Sequence, residues 1–167
     1  MTQGDLKTRM MGAAMLSIDT FEEVEADTDA TAQAATVVVM VALCQAIGSW
    51  TLGPFAAGWA AMVAFGSWLV WAGITYLVGE KVFKGKATWG EVLRTLGFAQ
   101  APGVLYLLGV VPLFGGIATL VVSLWIVVAG FIAIRQALDI GNGQTLLTVL
   151  IGGGVYAVLQ NLPLYPF

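Results

Sequence analysis

Residues 30–79 read ATAQAATVVVMVALCQAIGSWTLGPFAAGWAAMVAFGSWLVWAGITYLVG, a block without one Asp, Glu, Lys or Arg. A helix crosses a bilayer core with about 20 apolar residues, so the block has room for two spans joined at the uncharged Gly53-Pro54. Two further charge-free blocks follow, 95–134 with room for two spans and 140–167 with room for one. The predicted fold is therefore all-α: a polytopic membrane helical bundle with five transmembrane helices. The spans fall at about 32–49, 56–78, 91–110, 115–137 and 144–162. Residues 30–167 form the membrane domain, and residues 1–29 form a cytoplasmic or interfacial, amphipathic and acidic segment ahead of it.

The charges fix the orientation. Seven cations and ten carboxylates fall in residues 5–29, in 80–94, and at Arg135 and Asp139. Each doubly spanning block returns the chain to the side it left, so all charges share one face of the membrane. Lys7, Arg9, Lys81, Lys84, Lys86, Arg94 and Arg135 make that face cytoplasmic by the positive-inside rule, with the N-terminus inside and the C-terminus outside. Composition agrees: 59% of residues are apolar and 10% charged, where a soluble domain carries about 25% charged residues. Mean hydropathy is +0.88. The first apolar run follows an acidic stretch and does not resemble a cleaved signal peptide, so an uncleaved span is expected to direct insertion.

The third span is the least regular. Gln100, Pro102 and the flanking Gly97 and Gly103 place a polar amide and a helix breaker inside a segment that must cross lipid. A break near Gln100 is predicted, and it requires neighbouring helices or water to satisfy the freed carbonyl groups. Thr88 with Glu91 has capping-box spacing, so this helix starts near Trp89. Gly141 and Asn142 are expected to supply the left-handed residues of the turn after the fourth span. Ala57, Ala61, Ala64, Ala129, Ala133 and the triplet Gly152-Gly153-Gly154 read as close-packing seams, which either close the monomer or join two copies into a homo-oligomer.

Within residues 5–18, Leu6, Met10, Ala14 and Ile18 share a helical stripe with Met11 and Met15 beside it, and Lys7 and Arg9 on the flank. The pattern suits a short helix in the membrane interface with its cations toward anionic lipid, or one docked on the protein's own spans. Thr20 and Glu23 suggest a second capping box opening a helix at Phe21. Glu22, Glu23, Glu25, Asp27 and Asp29 form either a solvated charge run or a latch, for which Lys81, Lys84 and Lys86 are the nearest cations. Together Glu22, Glu23, Glu25, Asp27, Lys81, Lys84 and Lys86 make a candidate cytoplasmic interaction surface.

Catalytic chemistry finds little to work with. The chain has no histidine, its one cysteine is Cys44, and no carboxylate lies inside a predicted span, which removes the usual ligands and bases of intramembrane hydrolases. The acidic segment lacks EF-hand spacing. No cofactor, metal or nucleic acid partner is indicated. Transport would need polar groups at mid-membrane, for which Gln100, Gln45, Ser67 and Ser123 are the candidates. Glu91, Arg94, Arg135 and Asp139 are expected to pair across the inner ends of the third and fourth spans. With Gln100 and Pro102 they make up a candidate polar cluster.

Two stretches together resemble a known family. RMMGAAMLSIDTFEEVEAD from Arg9 to Asp27, and GKATWGEVLRTLGFAQAP from Gly85 to Pro102 followed by Trp125 and AIRQALDIGNGQT from Ala133 to Thr145, are similar to the Yip-domain family, named for Ypt/Rab-interacting proteins. The resemblance implies a five-span bundle with a cytoplasmic N-terminus. It is closest in style to prokaryotic members, which implies a multi-pass protein of a prokaryotic cytoplasmic membrane. The function expected is that of a non-enzymatic membrane-organising, adaptor or scaffold component that meets the bilayer, anionic lipids and a membrane or cytoplasmic protein. The alternative is a small permease or channel subunit with a path along the broken third span.

Overall fold

The computed structural model describes residues 4–48, 54–111 and 113–161. The predicted turn at Gly53, the stop at Pro163 and the side chains of Ala57 and Ala61 lie outside what is described. Among the described residues the chain is all helical. Two short helices, α1 (Leu6–Ala14) and α2 (Ile18–Ala26), precede α3 (Ala30–Gly48), α4 (Pro54–Leu77), α5 (Trp89–Ala99), α6 (Gly115–Leu138) and α7 (Asn142–Asn161). Helix α4 runs on into a π-helical turn, Val78–Val82, and α5 continues as a 3₁₀ helix, Ala101–Val110. Among the described residues, three stretches are long and apolar enough to cross a membrane: Ala30–Gly48, Met62–Val82 and Gly115–Leu138.

Small residues set the packing. A Cβ added to Gly97 would lie 2.8 Å from the Ala34 Cβ, one on Gly103 would collide with Val41, and one on Gly109 would lie 3.1 Å from the Gly48 carbonyl oxygen. Positions 97, 103 and 109 thus meet 34, 41 and 48 in ascending order, so the broken helix runs parallel to α3. Trp71 meets Gly130, and Gly79 meets Leu138, which makes α4 and α6 parallel in the same way. Helix α7 places Gly152 on Trp71 and Thr75. Ala64, Ala129 and Ala133 are buried in the same core. These contacts give the glycine seams an intramolecular use, because small residues let backbones approach where lipid offers no hydrophobic drive.

The 3₁₀ stretch explains how the third segment stays packed after its break. With three residues per turn, Gly103, Tyr106 and Gly109 fall on one face, and Gly48 touches the Tyr106 carbonyl and Gly109 on that face. Pro102 sits in the first turn of the 3₁₀ helix, where its missing N–H costs no internal bond. Eleven α-helical residues and ten 3₁₀ residues together reach about 36 Å, from rises of about 1.5 and 2.0 Å per residue.

The N-terminal region departs from expectation in two respects. Helix α1 ends with Leu16 left-handed (φ 63°), the Ser17 N–H on the Gly12 carbonyl and the Leu16 N–H on the Ala13 carbonyl, a Schellman ending with leucine in the usual glycine place. Ser17 then caps α2, its Oγ accepting from the Thr20 N–H, so α2 starts at Ile18 and Thr20 is not its cap. A Cβ on Gly12 would strike Thr20, which shows how closely the two helices fold back on each other. In the turn after α6 the left-handed residue is Asp139 (φ 52°, ψ 39°), not Gly141 or Asn142. Aspartate tolerates this conformation better than most side chains.

Candidate functional site

The charged residues gather around the α1–α2 hairpin, the entry of α5 and the end of α6. Thr88 and Glu91 form the predicted capping box: the Thr88 N–H donates to Glu91 Oε2 at 2.7 Å and the Glu91 N–H to Thr88 Oγ1 at 3.3 Å. The cap fixes where α5 begins and thereby places Arg94 in its second turn. Arg94, 5% exposed, points its guanidinium at the end of α2. There Nε donates to the Val24 carbonyl at 3.2 Å and Nη2 to the Glu25 carbonyl at 2.5 Å, with Nη1 3.5 Å from Thr31 Oγ1. Helix ends leave carbonyls without intrahelical partners, and a cation is favoured there by the helix dipole.

Arg9 makes the second clasp. It is 2% exposed and reaches Glu23 Oε1 from Nε at 3.0 Å and from Nη2 at 2.8 Å, Asp27 Oδ2 at 2.6 Å, and Gln33 Oε1 at 2.9 Å. One side chain thus ties α1, α2 and α3 together. The forked, planar guanidinium suits several oxygens at fixed positions, which a lysine would not. Two further bonds attach the hairpin to α6: Gln136 Nε2 donates to Glu22 Oε1 at 2.9 Å, and Trp125 Nε1 donates to the Ala14 carbonyl at 2.8 Å.

These contacts correct the predicted pairings. Arg9 does not project toward lipid headgroups but is buried in the clasp. The acidic segment meets Arg9 and Arg94 rather than Lys81, Lys84 and Lys86. Lys81 pairs with its neighbour Glu80 at 2.9 Å, while Lys84 and Lys86 are exposed. Among the described residues no ion pair joins Glu91, Arg94, Arg135 and Asp139. Glu91 is committed to its cap and Arg94 to carbonyls, whereas Arg135 and Asp139 are exposed. Nor do the carboxylates converge on a shared point for a cation: Glu23 and Asp27 turn to Arg9, and Glu22 turns to Gln136.

The electrostatics follow from this crowding. The Arg9 hydrogen bond holds Asp27 below the usual carboxylate range. Glu25 is pushed up to about 7, first by burial and then by the nearby carboxylates of Glu91, Asp139 and Glu22, against which Arg94 acts in the opposite sense. Glu25 therefore changes charge near neutral pH at the end of the helix that Arg94 holds.

Gln100 ends α5 and is 1% exposed, and its Nε2 has no acceptor among the described residues. Pro102 is buried beside it. The cavity in the bundle lies elsewhere, lined in part by Gln45 and Ser123 and not by Gln100. The reading from sequence missed Gln33, Gln136 and Trp125 as partners of the hairpin. Their signal was polarity in otherwise apolar helical stretches, but nothing in the sequence states which surface they face.

The family profile described as the Yip1 domain matches residues 15–159. No curated protein and no solved structure matches the chain.

Proposed function

From the premise that the chain belongs to the Yip1-domain family, we propose that it is a five-span, non-enzymatic membrane scaffold that acts through its charged face. In this reading α3, α4, the α5–3₁₀ segment, α6 and α7 are the spans. The combined length of the α5–3₁₀ segment, about 36 Å, exceeds a hydrocarbon core of about 30 Å. The parallel packing of the third segment on α3, and of α6 on α4, suits a chain that alternates direction at each pass. The positive-inside rule puts the charged face in the cytoplasm.

The observation that carries the proposal is the double arginine clasp. Arg9 and Arg94 hold the hairpin, and with it the exposed carboxylate of Glu22, in one place. The Gly85 N–H on the Gly79 carbonyl, the Lys86 N–H on the Leu138 carbonyl and the Lys81–Glu80 pair order the neighbouring lysine loop. In this reading they share one charged surface. Such a surface supports recognition of anionic headgroups or of a partner protein more readily than a mobile tail would, since less ordering entropy is lost on contact. The hairpin has a second contact to offer. Its tip, Met10 to Ile18, carries no charge, and Met11, Met15 and Ile18 are exposed. Trp125, which holds Ala14, lies thirteen residues from the end of α6, about 20 Å along the axis. The tip therefore reaches past the headgroup level and faces acyl chains.

The test is a purification in native nanodiscs of the wild type and of the triple variant Lys81→Glu, Lys84→Glu, Lys86→Glu, with quantification of copurifying lipid and protein. The wild type should carry an anionic lipid shell or a stoichiometric partner that the variant loses. Identical copurification would remove the reading. Gln100→Leu addresses the permease alternative: a scaffold keeps its function if the variant folds, whereas loss of solute flux in a folded variant would favour transport.

A further inference from the structure

The α1–α2 hairpin lies alongside the bundle rather than beneath it. Two bonds fix its height on α6, Gln136 to the Glu22 carboxylate and Trp125 to the Ala14 carbonyl. Those two α6 residues are eleven positions apart, about 16 Å along the axis. Helix α1 also packs on α5 and on the 3₁₀ helix, and its Arg9 reaches Gln33 in the first turns of α3. The open end of the hairpin therefore sits at the charged ends of the spans, and its tip is level with the middle of α6.

The hairpin has two faces. Leu6, Met10, Ala14 and Leu16 pack inward on the core, with Ala13, Phe21 and Val24 fully buried. Outward, Met11, Met15 and Ile18 are 53%, 69% and 44% exposed. The exposed charges Lys7, Glu22 and Glu23 lie toward the open end. Asp19, the charge nearest the tip in sequence, stands in the first turn of α2, where free N–H groups and the helix dipole lower its cost.

Depth follows from these heights in the five-span reading, on which this inference rests. With Arg135, Gln136 and Asp139 at the water edge and a headgroup layer of about 5–7 Å, Ala14 lies about 10 Å inside the hydrocarbon, short of a midplane at about 15 Å. The hairpin is thus confined to the cytoplasmic leaflet. That half of the bundle holds seven helical segments, the five spans with α1 and α2, whereas the outer half holds five among the described residues. For helices of equal width, the hairpin enlarges the cytoplasmic cross-section by about two-fifths.

We infer that the hairpin is a one-leaflet wedge, and that the protein gathers on membrane that is convex toward the cytoplasm. The exposed apolar face is covered by acyl chains of the cytoplasmic leaflet: a water-soluble partner does not reach that depth, and unbranched, flexible methionines suit fluid chains. A body wider in one leaflet spreads the lipids of that leaflet, and the strain is least where that leaflet is the convex one. The clasp makes the wedge effective. A loose hairpin would swing out and relieve the strain, whereas the Arg9 and Arg94 bonds hold it against the spans.

The experiment is sorting of the purified protein, with a fluorophore at its N-terminus, between giant vesicles of dioleoylphosphatidylcholine and narrow tubes pulled from them. Molecules with the N-terminus outside and inside are read separately. The lipid carries no net charge, so recognition of anionic headgroups by the lysine loop does not enter. Molecules with the N-terminus outside should be enriched about twofold or more in a tube of about 40 nm diameter, and those with it inside should be depleted. Met11→Glu combined with Met15→Glu sets charges on the exposed face and should abolish sorting while leaving the unfolding temperature in detergent unchanged. Met11→Leu with Met15→Leu should sort as the wild type does. Equal wild-type density on tube and flat membrane, or enrichment of the inside-facing molecules, would overturn the inference, and neither reading needs a variant. Sorting that survives the glutamate pair would also overturn it, because it would assign the effect to the taper of the spans. A wild type that does not sort, with the lysine variant behaving as proposed, would leave the scaffold reading standing. Sorting by a lysine variant whose copurification is unchanged would remove the scaffold reading alone.

Discussion

Replacing Arg94 by methionine isolates the clasp between α5 and the hairpin. Methionine keeps an apolar stem of similar reach, so the change removes donors with little loss of packing. The structure gives two well-formed bonds from the guanidinium, to the Val24 and Glu25 carbonyls, and a third at 3.5 Å that is too long to count. A hydrogen bond from a charged donor contributes about 1.5–3 kcal/mol, and an orphaned buried carbonyl costs about 1–3 kcal/mol. Because the hairpin lifts and rehydrates once its free energy of docking is exceeded, the expected loss sits near the low end of the summed bonds, about 3 kcal/mol. At about 1.4 kcal/mol per factor of ten, the lifted population should rise roughly a hundredfold. Hydrogen–deuterium exchange of the nanodisc-embedded protein reads this directly: amides in residues 9–14 and 18–26 should lose protection by about that factor while those of α6 keep theirs. Arg94→Lys should fall in between, since an ammonium serves both carbonyls less well than a fork. If protection of 18–26 in Arg94→Met stays within threefold of the wild type, the hairpin is held by its apolar contacts and the clasp argument is wrong.

Two further outcomes follow from the packing and the electrostatics. Gly152→Leu places a Cβ 2.8 Å from Trp71 Cδ1 and should destabilise the bundle by about 1–3 kcal/mol through overpacking; Gly66→Ala, with nothing within 4 Å of its Cβ, should be neutral or gain up to about 1 kcal/mol, so the two unfolding temperatures in detergent should move apart. Glu25 is raised from 4.5 to about 7, so the folded state holds a proton that the unfolded state releases across that interval. Stability should accordingly fall as pH rises from about 4.5 through 7 and level off above it. Glu25→Gln should flatten the thermal midpoint between pH 5.5 and 8.5, and an unaltered slope in that variant would assign the pH dependence to another group.

The clasp shows where reading the sequence runs out. Helix positions after residue 30 were legible because uncharged length is a local property: α6 at Gly115–Leu138 and α7 at Asn142–Asn161 lie within two residues of the predicted starts and, for α6, of the predicted end. The Thr88–Glu91 cap and the break at Gln100 were equally local, one fixed by a three-residue spacing and the other by a proline. The 3₁₀ continuation left a trace that only its own period reveals: Gly97, Gln100, Gly103, Tyr106 and Gly109 recur every third residue, a spacing an α-helical reading scatters over more than one face. The arginine partners had no such trace. Arg94 lies 70 and 69 residues from the carbonyls it binds and Arg9 lies 14 to 24 residues from its partners, beyond any local spacing, and charge alone suggested carboxylates for Arg94 where the fold offers carbonyls.

What the sequence determined by itself is the family, the helical class, the helix boundaries of the apolar blocks and the confinement of charge to three segments. The family rests on the resemblance of stretches spread from Arg9 to Thr145, and the rest follows from composition over windows of a helix length or less. The tertiary structure alone decided that the hairpin folds back onto the bundle, that its cations are Arg9 and Arg94 rather than the lysines, and that Gln45 and Trp71 face a cavity while Gln100 does not. The physical reason is that a hydrogen bond depends on which helix faces which, and that choice is set by glycine and alanine seams such as Gly97 on Ala34 and Gly130 on Trp71, whose pairing no local pattern encodes.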